Sequence, residues 1–185
     1  MSATAADVTI RRATERDARA IAEVHVASWR WAYRNDLPAS LLADLSVDER
    51  ELAHRRELAA EEGTTCVLVA VDTGDRVMGF ASTGPSRDDD APPDTGELYA
   101  IYLLADVAGS GLGRALLEHA TRDLRDAGYV TASLWVLASN ERARRFYERA
   151  GWRWDGSVSE HRFDCGNRPI VRYSIDGLAS SDARG

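Results

Sequence analysis

Residues 97–117 read ELYAIYLLADVAGSGLGRALL. An apolar run rich in aromatic and branched side chains, Leu98 to Leu104, stops at Ala105-Asp106. It then passes three glycines at alternate positions, Gly109, Gly111 and Gly113, and enters an apolar pattern of helical spacing. That order predicts a strand, a glycine turn and a helix. Glycines tolerate positive φ and carry no Cβ. The N–H groups of such a turn, and those of the first helical turn that have no intrahelical acceptor, are therefore free to converge on an anion such as a pyrophosphate. Tight entry of a helix after a buried strand requires small residues too, so the glycines alone leave both readings open.

Upstream, Val8 to Arg12 alternates like an opening strand, and Thr14 followed by Asp17 has the spacing of a capping box with Asp in place of Glu. Ile21, Val24, His25 and Ser28 share one face of the helix that follows. Trp29, Trp31 and Tyr33 crowd its end before Leu37-Pro38 breaks it. The aromatics read first as packing and secondarily as a substrate cage, and His25 reads as a core histidine. A second helical stretch runs from about Ala39 to Glu61 with a polar interruption near Ser46. Thr64 to Asp72 and Val77 to Thr83, joined by Thr73-Gly74-Asp75, predict an antiparallel hairpin. Gly84 to Gly96 is a polar loop whose run Asp88-Asp89-Asp90 reads as solvated, with an acidic rim for a cationic substrate as the alternative.

Downstream, Leu112, Leu116, Leu117, Ala120 and Leu124 form one helical face that Gly128 ends. Thr131 to Ala138 is a buried strand, and Ser139 is positioned to cap a helix carrying Ala143, Phe146, Tyr147 and Ala150, which Gly151 stops. Trp152 to Phe163 and Ile170 to Ile175 close the chain as an antiparallel pair. The order β-α-α-β-β-β-α-β-α-β-β predicts an α/β fold, a mixed sheet with helices on both faces. It forms one domain over residues 7–177 followed by a polar tail over 178–185.

With 185 residues the chain is long enough to fold on its own core. Its 23 basic and 30 acidic residues give a net charge of −7, which argues against a nucleic-acid partner. Cys66 and Cys165 lie far apart and the four histidines show no ligand spacing, so neither a disulfide framework nor a metal is expected. No signal-like or membrane-spanning apolar run occurs, which points to a cytoplasmic protein.

Three glycine-loop motifs fail residue by residue. A Walker A loop needs Lys and then Ser or Thr after its last glycine, where Arg114 and Ala115 stand. A dinucleotide fingerprint beginning at Gly109 needs glycine at position 114. A nucleophile elbow around Ser110 needs glycines where Ala108 and Leu112 stand. What remains resembles the GCN5-related N-acetyltransferase (GNAT) family over roughly residues 7 to 177. The cofactor motif of that family, Q/R-x-x-G-x-G/A between strand and helix, matches at Gly111-Leu112-Gly113. A second stretch, N-x-x-A-x-x-F-Y-E-x-x-G-F, matches at Asn140, Ala143, Phe146-Tyr147-Glu148 and Gly151, with Trp152 for Phe. Ile10-Arg11-x-Ala13 with Asp17 fits the family's opening, and Ser28-Trp29 through Tyr33 looks like a bacterial subgroup. One departure stands out: the first position of the cofactor motif is Ala108.

The resemblance implies an acetyl-CoA-dependent N-acetyltransferase in which a primary amine of a small molecule or protein attacks directly within a ternary complex. The alternative is a non-catalytic CoA-binding or regulatory module. The resemblance further implies Tyr147 as general acid and Glu97 as general base. The cofactor would lie along Ile101, Tyr102, Leu103, Ala108, Gly109, Ser110, Gly111, Leu112, Gly113, Arg114, Asn140 and Tyr147. Trp29, Tyr33 and Tyr99 would meet the acceptor, and an oxyanion-binding N–H would sit beside a strand distortion near Leu103. By period two, Glu97, Tyr99, Ile101 and Leu103 share one face. Strands 97–104 and 131–138 would splay to admit the pantetheine arm. Homodimers are common in the family.

Overall fold

A computed structural model describes residues 8–59 and 65–178. The end of the predicted second helical stretch, Ala60 to Glu61, the beginning of the predicted strand at Thr64, and the tail beyond Leu178 lie outside the described residues. The strands are β1 (Thr9–Arg12), β2 (Cys66–Val71), β3 (Val77–Pro85), β4 (Thr95–Leu103), β5 (Thr131–Leu137), β6 (Arg153–Phe163) and β7 (Gly166–Asp176). The helices are α1 (Ala18–Ala32), α2 (Ala39–Ala43), α3 (Val47–Leu58), α4 (Leu112–Asp126) and α5 (Glu141–Arg149). All seven strands form one sheet of order β1-β2-β3-β4-β5-β7-β6, antiparallel except between β4 and β5.

Two apolar layers sandwich the sheet. Ile21 and Val24 of α1, with Leu58 of α3, pack on Val67, Val69 and Phe80. On the other face Leu116, Leu117 and Leu124 of α4 and Tyr147 of α5 pack on Leu68, Ala81, Leu134 and Tyr173. Leu178, assigned by sequence to the polar tail, is buried in this second layer, and its N–H donates to the Val130 carbonyl at 3.0 Å. The stretch from Ala39 is two helices because Ser46 interrupts it and caps α3, accepting from the Glu49 N–H at 3.2 Å.

The entry to α1 is held by charge. A single 3-10 turn (Glu15–Asp17) precedes the helix, and Asp17 accepts from the Thr14 N–H at 2.7 Å and from the Arg11 guanidinium through both oxygens at 2.9 Å. The bidentate Arg11 bond is the main reason the Asp17 carboxyl is lowered to about 2. A lowered carboxyl stabilises the fold where it is ionised in both states, and this stability is lost as pH falls from about 4 toward about 2. Asp17→Asn is therefore expected to cost about 1–2 kcal/mol near neutral pH. The deficit should narrow on acidification over that window in denaturant titrations; a deficit independent of pH there would refute the charge argument.

Candidate functional site

The site begins where two strands part. β4 and β5 pair only at Thr95, Gly96 and Glu97, opposite Thr131, Ala132 and Ser133. Beyond Glu97, β4 keeps its partner β3 as far as Leu103, and β5 keeps β7 as far as Leu137, so the two facing edges diverge. The divergence predicted from the resemblance is present at those strands. It leaves unsatisfied backbone edges around a wedge, and a cavity of about 1060 Å³ opens there.

A second irregularity sits on β4. Leu98 pairs with Thr83 and Ala100 with Ser82, so Tyr99 is an extra residue, a β-bulge. The distortion expected near Leu103 is thus four residues earlier, and Leu103 itself pairs regularly with Gly79. The bulge changes the phase of the strand. Ile101 packs in the layer of Leu98 and α4, and Leu103 packs against Leu112, whereas Ala100 and Tyr102 pack toward α1. The single face predicted for Glu97, Tyr99, Ile101 and Leu103 is corrected accordingly: alternation fails across the inserted residue.

At one end of the cavity lies the glycine turn. Gly109 and Gly111 have φ of 86° and 91°, and a Cβ on either would meet nothing within 4 Å, so the turn faces open space. Gly113 has a different reason to be glycine, since its Cβ would stand 3.3 Å from Leu103 Cδ1, where helix meets strand. Ala115 is the first N–H to close onto the turn, at Gly111 O. The Leu112 N–H is taken by Ser110 Oγ at 3.3 Å, which leaves the N–H groups of Gly113 and Arg114 without an intrahelical acceptor. These groups fit a pyrophosphate by backbone alone. Ala108, Gly109, Gly111, Gly113 and Arg114 line the cavity, as do Ile101, Tyr102 and Leu103. Two predicted cofactor residues do not. The Ser110 hydroxyl turns back to donate to the Val107 carbonyl at 2.8 Å, and Leu112 is buried in the core. The Arg114 guanidinium, largely exposed, donates to Glu118 at 2.8 Å.

Asn140 and Tyr147 face the wedge from α5. The cap of α5 is Asn140, whose Oδ1 accepts from the Ala143 N–H at 3.1 Å, and not Ser139 as expected. Its amide NH₂ stays available to a ligand carbonyl. Burial pushes the Tyr147 phenol above its ordinary value, and the neighbouring Tyr102 adds to the shift.

At the other end, Glu97 is buried and bound twice by Arg87, from the main-chain N–H at 2.8 Å and the guanidinium at 3.3 Å. The guanidinium lies 3.7 Å above the Tyr99 ring, and the Tyr99 hydroxyl donates to Pro85 O at 2.5 Å. Burial raises the Tyr99 phenol to about 12. Trp29, Trp31 and Tyr33 line the same cavity farther along β4, where Trp29 stands 6.4 Å from the Tyr102 ring and the preceding Ser28 donates to the Leu103 carbonyl, and Trp135, His161 and Phe163 of β5 and β6 complete the lining. Arg87, Trp135 and the β6 aromatics carry no local sequence signal for this role, because only the sheet order brings them here. His25 is packed between Phe80 and Tyr102 and bonded to His54 at 3.1 Å, and burial, followed by the charge of Arg50, lowers it to about 3. It is a neutral core residue, as expected.

The acidic run is solvated only in part: Asp89 and Asp90 are exposed, but Asp88 and Asp90 are tied to a cation. Asp88 accepts from Trp135 Nε1 at 2.8 Å and from Arg172 at 3.1 Å. Asp90 accepts two bonds from the same guanidinium, and Asp155 accepts a further one at 2.7 Å. Arg172 thereby straps the β3–β4 loop across β5 and β7 beside the cavity.

The parted parallel strands, the bulge and the glycine turn at a helix N-terminus define a CoA-type acyltransferase fold. The family model described as Acetyltransferase (GNAT) family matches residues 12–152. An N-acetyltransferase of Bacillus subtilis, described as uncharacterized, is 39% identical over 133 residues, 72% of this chain and 73% of that one. Mycothiol acetyltransferase of Pseudarthrobacter chlorophenolicus is 38% identical over 92 residues, which cover 49% of this chain but only 28% of that protein. Among solved structures, the PaiA N-acetyltransferase of Thermoplasma acidophilum in complex with coenzyme A superimposes with a TM-score of 0.69 at 17% identity, covering 91% of this chain and 98% of that one. The Escherichia coli ribosomal-protein-S18-alanine N-acetyltransferase gives 0.65 at 22% identity, covering 96% and 98%. The chain belongs to the GNAT family and is an acetyltransferase; acetyl-CoA is the acyl donor of the family.

Replacing Arg172 by Ala leaves Asp88 without its cation at a mostly buried position. The change is expected to cost about 1–3 kcal/mol and lower the melting temperature by about 3–8 °C. A thermal scan that shows no shift would mean the strap contributes nothing.

Proposed function

We propose that the protein transfers an acetyl group from acetyl-CoA to a primary amine by direct attack in a ternary complex, in the cytoplasm. The observation that carries this reading is the single cavity lined by both the glycine turn and Glu97, which lets donor and acceptor occupy one wedge together. The bound donor supplies the thioester carbonyl and the departing thiolate. The backbone N–H groups at Gly113 and Arg114 hold the pyrophosphate, and the loss of a side-chain contact at Ala108 weakens the grip without abolishing it. Asn140 steadies the arm through its amide. The kinship to mycothiol acetyltransferases supports a small-molecule acceptor.

Glu97 is the group that removes the proton from the acceptor's ammonium, since each of its oxygens retains a free lone pair beside the Arg87 bonds. Tyr147 acts as a hydrogen-bond donor to the developing thiolate. With an ordinary tyrosine near 10 and a thiol near 8.5, full proton transfer is already uphill by about 2 kcal/mol, and burial raises the phenol further. The bulge at Tyr99 turns main-chain groups away from β3 and is the place for an oxyanion-binding N–H.

Titration calorimetry is expected to show acetyl-CoA binding in the micromolar range, and no heat at millimolar cofactor would remove the basis of the reading. Tyr147→Phe should lower turnover by about tenfold to a thousandfold with cofactor affinity nearly preserved. Equal turnover would reject the donor role. Intersecting initial-velocity lines are expected, and parallel lines would exclude the ternary complex.

A further inference from the structure

Resting on the acetyltransferase reading, we infer that the acceptor is a free α-amino acid with an apolar or aromatic side chain, held as a zwitterion by the Arg87–Glu97 pair. These two residues place a cation and an anion side by side on the cavity wall, 3.3 Å apart. An isolated amine satisfies only Glu97 and brings its own positive charge against the guanidinium. An α-amino acid answers both, with its ammonium toward the carboxylate and its carboxylate toward the arginine. The guanidinium has the capacity: among the described residues it gives one hydrogen bond, to Glu97, and four of its five N–H groups remain. Its stacking on Tyr99 fixes the plane of that fork while leaving the edge open.

Charge elsewhere agrees. Two of the three carboxylates in the acidic loop that would attract a polycation, Asp88 and Asp90, are already bound to Arg172. Two further arginines of the lining, Arg34 and Arg142, lie 5.8 and 4.1 Å from the Trp31 ring and add positive potential to the cavity. For the side chain, the same cavity offers an aromatic surface farther along β4, where Trp29 stands edge-on to Tyr33 and Phe163 with centroids at 5.2 and 6.0 Å and 6.4 Å from Tyr102. In the transfer itself, the α-nitrogen bonds to the acetyl carbon as the carbon–sulfur bond breaks. The ammonium first gives one proton to Glu97, which passes it to solvent; after attack the nitrogen loses its second proton by the same route, and the departing sulfur leaves as thiolate and takes one proton from solvent.

The test is thiol release from acetyl-CoA by the full chain with L-phenylalanine, L-phenylalaninamide, phenethylamine and spermidine, each corrected for its fraction of free amine. L-phenylalanine is expected to exceed the other three in kcat/KM by about tenfold or more, the scale of one lost charge-assisted contact. In Arg87→Gln its advantage over phenethylamine should collapse to about threefold or less, and Arg87→Lys should retain part of it. The inference is overturned if the amide equals the acid, if spermidine is preferred, or if the advantage survives in Arg87→Gln. In each of those cases acetyl transfer still occurs and the broader reading stands. Absence of transfer to every amine by a protein that binds acetyl-CoA overturns both, and absence of cofactor binding marks failure of the broader reading itself.

Discussion

Backbone hydrogen bonding along β4 governs the site. A strand in the middle of a sheet ordinarily has both edges paired; β4 is paired on one edge from Gly96 to Leu103 with Tyr99 alone passed over, and on the other for only three residues. Polar main-chain groups left facing a wedge are costly unless a ligand or water meets them. The rest of the molecule holds the wedge open. The layer of α1 and α3 on one face and the layer of α4 and α5 on the other clamp the strands that still pair. β7 completes β5 on its far side, so the sheet remains continuous around the gap.

Within that frame the two ends of the cavity use different physics. The glycine turn offers fixed dipoles and almost no side chains, suited to a ligand that is large, anionic and the same in every turnover. The acceptor end is built from charged and aromatic side chains that lock one another: Arg87 on Glu97 and Tyr99, and Trp135 under the Asp88 loop. Rigid side chains in mutual contact are the usual means of selecting one small molecule among many.

How much of this the sequence carries depends on how local each cause is. The strand, turn and helix of residues 97–117, the capping box at Thr14 and the α5 motif are set by neighbours within a few positions, so their elements and ends are legible. The sheet order leaves no local trace. Arg172 and Asp88 are 84 residues apart, and their bond makes one end of an otherwise exposed acidic run part of a structural strap. Arg87 reads as one more polar loop residue until the fold sets it over Tyr99. Ser139 and Asn140 are equally good caps by residue type, and only the observed entry of the chain into α5 selects Asn140. The bulge is the clearest case. Residues 97–103 alternate plausibly throughout, and nothing among them announces that one lacks a partner on β3.

That inserted residue has a consequence for how the protein tolerates change. Tyr99 is set by the number of residues between Glu97 and Ile101 as much as by their identity. Substitution anywhere in the segment alters one side chain. Deletion of a single residue would restore an unbroken ladder and rotate one half of the strand relative to the other, exchanging what the cavity and the core receive. The geometry of this cleft therefore depends on the length of β4 as well as on the side chains that line it.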